Sequence, residues 1–289
     1  MRTLKKVFIN LVAVMMAVMA CLSLTACEDI KTVELNIQVY DYADNGSMKD
    51  YTLTVDLYRH LAPETVDAIV DYVEDGYYNG KAFYKLTNYS TQIMLGDLVD
   101  GGDQTTVKVV ETVMPELGKG EFERGGTTGS NLVNKKGSIG LWRSWTNADG
   151  SYTTSSTAMG SGRATWFIPT DTISAYDGYF CVFGQYDAED TENKAVLDAL
   201  TTAFTSGNYD EYVVYYTGEY DANKANENYG LTAHIVEKSD FDSTAIEGLF
   251  KSENVADKAG LICYDYYTVQ LPVNANGGVA AKIVSAKIS

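Results

Sequence analysis

The chain has 289 residues, a formal charge of −17, and a composition that is 45% hydrophobic and 12% aromatic. Apolar content of that order fills one large core or two small ones, which excludes disorder as the main state. With 39 acidic against 22 basic groups and no Lys/Arg stripe, the chain would repel phosphates, so no nucleic-acid partner is expected. The only histidines are His60 and His234, which excludes a His-rich metal site and leaves a Ser-His-Asp site one of those two to use.

Arg2, Lys5 and Lys6 precede an apolar run from about Val7 to Leu24 that closes on Leu24-Thr25-Ala26-Cys27. A basic start, an apolar stretch and small residues at its end read as a secretory signal over 1–26. The ending resembles the bacterial lipobox, which implies lipidation of Cys27, a short linker over 27–31, and a domain over 32–289 held at the extracytoplasmic face of the cell membrane. Two acyl chains on one residue anchor stably, where one would bind reversibly. The competing reading is an uncleaved transmembrane helix, since the run is long enough to span a bilayer. Cleavage after Ala26 leaves 19 basic and 39 acidic groups, a charge of −20 that holds the domain off anionic lipid. Of the remaining cysteines, Cys181 and Cys263 could pair in that compartment or sit as buried thiols in apolar strands.

Along the chain, Val33, Leu35, Ile37 and Val39 alternate with polar residues over 33–40, the pattern of a half-buried strand. Leu53, Val55 and Leu57 repeat it over 52–58 as the hairpin partner. From Pro63 to about Asp75, Val66, Ile69, Val70 and Val73 fall on one helical face, with Pro at the first turn and Gly76 past the end. Short strands and Gly-rich turns follow to about residue 185. A second helix is predicted over 192–204, with Val196, Leu197, Leu200 and Phe204 on its inner face, and a final strand over 281–288. Many strands with two separated helices argue for an all-β antiparallel barrel or sandwich with helical caps. The segment 206–230 carries Tyr209, Tyr212, Tyr215, Tyr216, Tyr220 and Tyr229, either an exposed sheet face or an aromatic ligand surface. Asp97, Asp100 and Asp103 lack the final bidentate carboxylate of a calcium loop, so no metal site is expected there.

Several segments then carry a family pattern in order. They are Ala62-Pro63-Glu64-Thr65-Val66, Gly76-Tyr77-Tyr78-Asn79-Gly80, Phe83-Tyr84-Lys85, Gly96-Asp97, Gly120-Glu121-Phe122, Lys136-Gly137-Ser138-Ile139-Gly140-Leu141, Trp166-Phe167-Ile168 and Tyr176-Asp177-Gly178-Tyr179-Phe180. From about Thr32 to Leu200, and again at the last strand, the chain resembles the cyclophilin-type peptidyl-prolyl cis-trans isomerases. The resemblance implies a closed eight-stranded antiparallel barrel capped by two helices, with residues from about 206 to 275 inserted before the closing strand. It also implies X-Pro segments of exported proteins as partners, with no cofactor. The barrier to rotating an X-Pro bond is ~20 kcal/mol from amide resonance, and twisting leaves the proline nitrogen basic. Such an enzyme needs an apolar pocket for the ring, a donor to that nitrogen and polar groups for the flanking backbone, but no nucleophile.

Carried over residue by residue, the catalytic arginine falls on Lys85, and substrate-binding positions fall on Phe83, Gln92, Met94, Thr165, Phe167, Tyr176 and Phe180. Several depart from the family pattern. Lysine is a point donor where arginine offers a fork, the order of Gln92 and Met94 is exchanged, Thr165 replaces a glutamine, and Ala175 stands where many members have tryptophan. The resemblance therefore implies an impaired isomerase, whose rate Lys85→Arg would raise by up to ~10²-fold, the usual value of one transition-state donor. Against it stand a non-catalytic proline-peptide-binding or scaffold lipoprotein on the same barrel, and a solute-binding lipoprotein, for which the chain shows too little βα alternation.

Overall fold

The computed structural model describes residues 30–43, 46–87, 91–99, 105–107, 132–142, 162, 164–219, 231–242, 244 and 261–289; for 97–99, 105–107, 216–219, 231–233 and 261–267 the backbone alone is described. The signal and lipobox readings, the Cys27 position and the Cys263 side chain lie outside what is described. Among the described residues no helix is long and apolar enough to cross a membrane.

The N-terminal alternation folds as read. Strand β1 (Ile30–Asp41) pairs antiparallel with β2 (Ser47–Tyr58) in a register that sets Val33 opposite Val55 and Leu35 opposite Leu53. These side chains are fully buried, while Glu34, Asn36 and Gln38 on the other face are half-buried. Helix α1 (Pro63–Glu74) has Pro at its first turn and buries Thr65, Val66, Ile69 and Val73. It stops at Asp75, and Gly76 turns the chain at φ +70°, where a Cβ would be strained.

Strands β3 (Lys81–Leu86), β4 (Gln92–Val99), β6 (Ser138–Leu141), β7 (Trp166–Pro169) and β8 (Val182–Gln185) complete the middle of the chain, with β5 (Thr105–Val107) apart from them. Helix α2 (Thr191–Thr205) is capped by Asp190, whose carboxylate accepts from the Glu192 and Asn193 N–H groups. Asn193 then ties α2 to the sheet, accepting from the Thr54 N–H at 3.1 Å and donating to the Asp187 carbonyl at 3.1 Å. That pairing explains how a polar residue is tolerated when nearly buried.

The closing strand, β12 (Ala281–Ile288), pairs with β1 along seven residues and with β3 at Lys282 opposite Ala82. The order β12-β1-β2-β8-β6-β7-β4-β3, returning to β12, is a closed eight-stranded antiparallel barrel. Its interior holds Trp166, Tyr78, Phe83 and Phe183, with the faces of α1 and α2 packed into the same cluster. Two buried polar groups there are satisfied in series: the Trp166 indole donates to Tyr78 Oη at 2.9 Å, and that hydroxyl donates to the Ala164 carbonyl at 2.9 Å.

A second sheet hangs from the first. Strands β9 (Tyr209–Glu219), β10 (Leu231–Glu237) and β11 (Leu261–Pro272) form an antiparallel arrangement in which β9 lies between the other two. Strand β5 extends its far edge, and β11 joins β3, so β3 borders both the barrel closure and the outer sheet.

Candidate functional site

Successive residues of a strand point to opposite faces, so the barrel wall has an outer face built from the residues that skip its interior. On β3 those are Ala82, Tyr84 and Leu86; on β4, Met94; on β7, Phe167. Met94 lies opposite both Tyr84 and Phe167 in register, which places all three side by side on the wall. Tyr176 and Phe180 arrive from the 3-10 turn Ser174–Tyr176 and the segment after it.

The rings form one interlocked group. Phe167 meets Tyr176 and Phe180 edge-on, with centroids 5.5 Å and 5.6 Å apart, and Tyr176 lies 4.5 Å from Phe180. Trp142, just past the end of β6, stacks on Phe180 at 5.3 Å with an interplanar angle of 22° and meets Phe167 edge-on. Offset and edge-to-face contacts of this kind suit the ring quadrupoles. Gly140 is required beneath them, because a Cβ at that position would run into the Phe167 ring.

Polar groups border the cluster. The Gln92 amide donates to Met94 Sδ at 3.4 Å, and Thr165 shares the Phe167 face two residues before it. Both residues are completely buried, yet Gln92 Oε1 and Thr165 Oγ1 have no hydrogen-bond partner among the described residues. Each such group costs about 1–3 kcal/mol relative to a satisfied one. The open groove bounded by Asn36, Tyr51, Glu192 and Val284 contains none of these residues.

The structure thus brings together Gln92, Met94, Thr165, Phe167, Tyr176 and Phe180, and separates from them the two β3 residues grouped with them by resemblance. Phe83 belongs to the barrel interior. Lys85 shares the strand face of Phe83, and its Nζ lies 5.1 Å from the ring centroid of Phe204 on α2. Half-burial there holds its pKa below the ordinary lysine value by desolvation. In register with β4, Tyr84 lies opposite Met94, so Tyr84 rather than Lys85 stands on the side of Met94 and Phe167.

Two further contributors had little signal in the sequence. Trp142 follows a four-residue strand with no periodicity to point it outward. Val214, Val269 and Leu271 come from β9 and β11 of the outer sheet and join the same buried cluster. Burying one such side chain contributes roughly 1.5–3 kcal/mol. Tyr84, Met94, Trp142, Phe167, Tyr176 and Phe180 are each no more than 2% exposed. Of the tyrosines in the 206–230 segment, Tyr212 packs against the cluster and Tyr209 is 42% exposed. Cys181 is buried, while the Cys263 side chain, its alternative partner, lies outside the described residues.

A profile of the family described as cyclophilin type peptidyl-prolyl cis-trans isomerase/CLD matches residues 45–215, more than half of the chain. With the closed eight-stranded barrel and two helices, this chain belongs to the cyclophilin-type peptidyl-prolyl cis-trans isomerase family. No curated protein matches it.

Proposed function

We propose that the chain is a prolyl isomerase of low basal rate, lipid-anchored through Cys27 at the outer face of the cell membrane and acting on X-Pro segments of exported proteins. The observation that carries this reading is the convergence of Met94, Phe167, Tyr176 and Phe180 on one patch of the barrel wall, with Gln92 and Thr165 at its border. The aromatic patch offers a proline ring an apolar seat. The two border residues offer unspent acceptors, and in threonine a donor, to the flanking peptide backbone. Holding the ring while the rest of the peptide turns favours the twisted amide, whose nitrogen has lost its resonance.

Two features account for a low rate. Among the described residues no cation shares the patch, since Lys85 lies on the opposite strand face over Phe204. Loss of a directed donor of that kind costs typically ~10²-fold. The patch is also buried, so a peptide meets only the fraction of molecules in which it is accessible, and apparent affinity falls by that fraction.

The test is isomerisation of an Xaa-Pro peptide by the full chain. Slow catalysis above the uncatalysed rate is expected, abolished by Phe167→Ala and unchanged by Lys85→Arg; a rate increase with Lys85→Arg would return the donor role to Lys85. The complete burial of the rings favours a second reading, a non-catalytic proline-peptide-binding or scaffold module. Under it, Phe167→Ala weakens peptide binding although no variant catalyses. For the anchor, labelled palmitate is expected to enter the wild-type chain but not Cys27→Ser.

A further inference from the structure

The outer sheet is joined to the barrel by much less than joins its own strands. Between β11 and β3 only Val269 with Leu86 and Gln270 with Lys85 are in register, extended by the Thr87 N–H and hydroxyl, both donating to the Thr268 carbonyl at 3.1 Å. Within the outer sheet, by contrast, β11 and β9 pair over eleven positions.

Strand β5, on the far edge, also follows β4 along the chain, and a further attachment is at the near end. The Val273 N–H donates to the Asn208 carbonyl at 3.0 Å, Tyr42 Oη donates to the Val273 carbonyl at 2.7 Å, and Val273 forms a bridge with Val279. The chain enters β9 through Gly207, at φ +79° with no heavy atom within 4 Å of where a Cβ would stand, and leaves β11 through a turn with Gly277 at φ +80°. A sheet that is coherent within itself, lightly seamed to β3 and fastened at its glycine-flanked entry and exit can move as one unit.

What the sheet covers is the aromatic patch. Val214, Val269 and Leu271 belong to the same buried cluster as Phe167, Tyr176 and Phe180, joined to the wall where Val269 pairs with Leu86. The closed arrangement also leaves Gln92 Oε1 and Thr165 Oγ1 without partners among the described residues. A bound peptide backbone, or water in an opened site, would relieve both. The apolar seal favours closure, and the two unpaired acceptors oppose it.

We propose that the β9–β10–β11 sheet is a built-in autoinhibitory cover, which seats Val214, Val269 and Leu271 on the patch and must part from β3 before an X-Pro peptide can bind. This rests on the patch being the peptide site. A peptide that binds only the parted state shifts the population toward it, and anything that stabilises the seam lowers apparent affinity by the same factor.

Two opposed variants of the full chain test it. Leu86→Cys with Val269→Cys places thiols on directly paired residues whose side chains share the cluster, at a separation a disulfide can span. Oxidation should lock the seam and weaken X-Pro peptide binding by about tenfold or more, with full recovery on reduction. Val214→Asp puts a charge into the seal, away from the fastened end. It should raise peptide affinity by about tenfold and speed hydrogen exchange in β11 while the barrel amides stay protected. Equal binding in the oxidised, reduced and Val214→Asp forms overturns the cover and leaves the patch as the peptide site. Absence of binding in every form, with the β11 amides of Val214→Asp demonstrably exchanging, overturns the patch as peptide site and the cover with it. Should Val214→Asp fail to fold, the oxidised and reduced forms of the cysteine pair decide alone.

Discussion

The molecule has two hydrophobic clusters separated by the thickness of one barrel wall, closed in different ways. The interior cluster is sealed by topology: eight paired strands and two helices surround Trp166, Tyr78 and Phe183, and the buried hydroxyl and indole there hand their hydrogen bonds on to the Ala164 carbonyl. The outer cluster takes in Val214, Val269 and Leu271 from a sheet joined to β3 at two register pairs, and it is bordered by buried acceptors at Gln92 and Thr165 that have no partner among the described residues. A buried acceptor without a partner weakens the arrangement that holds it, and any opening that hydrates it relieves that cost. The proposed peptide site lies in the outer cluster, and the rings of both clusters are buried.

The largest effect should come from the interior. Trp166→Ala removes the biggest interior ring and frees the Tyr78 hydroxyl of a donor, at about 3–5 kcal/mol. In urea denaturation both sheets are expected to be lost in one transition at a lower midpoint. An outer sheet that outlasted the barrel would break the comparison, because it would then be the independent unit.

A smaller effect is expected across the wall. Gly140→Ala drives a methyl into the Phe167 ring and should cost about 1–3 kcal/mol through overpacking. Because Trp142 touches both Phe167 and Phe180, its near-ultraviolet signal should change while the interior stays folded. A native-like signal would mean that the outer cluster is loosely packed.

The smallest effect separates the two sheets by pH. His234 on β10 stacks against Tyr215 at 4.6 Å, and desolvation holds its pKa below the ordinary value. With its folded pKa depressed, this group opposes protonation in the folded state. The outer sheet should be most stable above about pH 6.5 and lose stability as pH falls below it. Hydrogen exchange in β9 and β10 should rise between those conditions, and His234→Phe should remove that component. An unchanged pH response in His234→Phe would assign it to the carboxylates instead.

Much of the barrel was legible in the sequence because its elements announce themselves locally. The alternation at 33–40 and 52–58, Pro63 and Gly76 at the ends of α1, and the apolar face of α2 each follow from the period of a strand or helix. Strand β12 was readable too, although its register with β1 is irregular between Asn36 and Ile37. Six of the eight positions that the family pattern singles out fall on one patch, Gln92, Met94, Thr165 and Phe167 on or beside strands and Tyr176 and Phe180 on the 3-10 turn and the segment after it.

Tertiary structure alone decided the rest. The register that sets Tyr84 opposite Met94 turns Lys85 and Phe83 to the opposite side of the wall, because neighbouring strand residues alternate faces. It also decided that Trp142 would stack on Phe180, and that a tyrosine-rich segment with no resemblance to carry it would supply Val214 as part of a seal. Local periodicity reports which face of an element is apolar. Which partner covers that face is set by pairing between strands far apart in the chain, as where Val269 meets Leu86, and no local pattern encodes it.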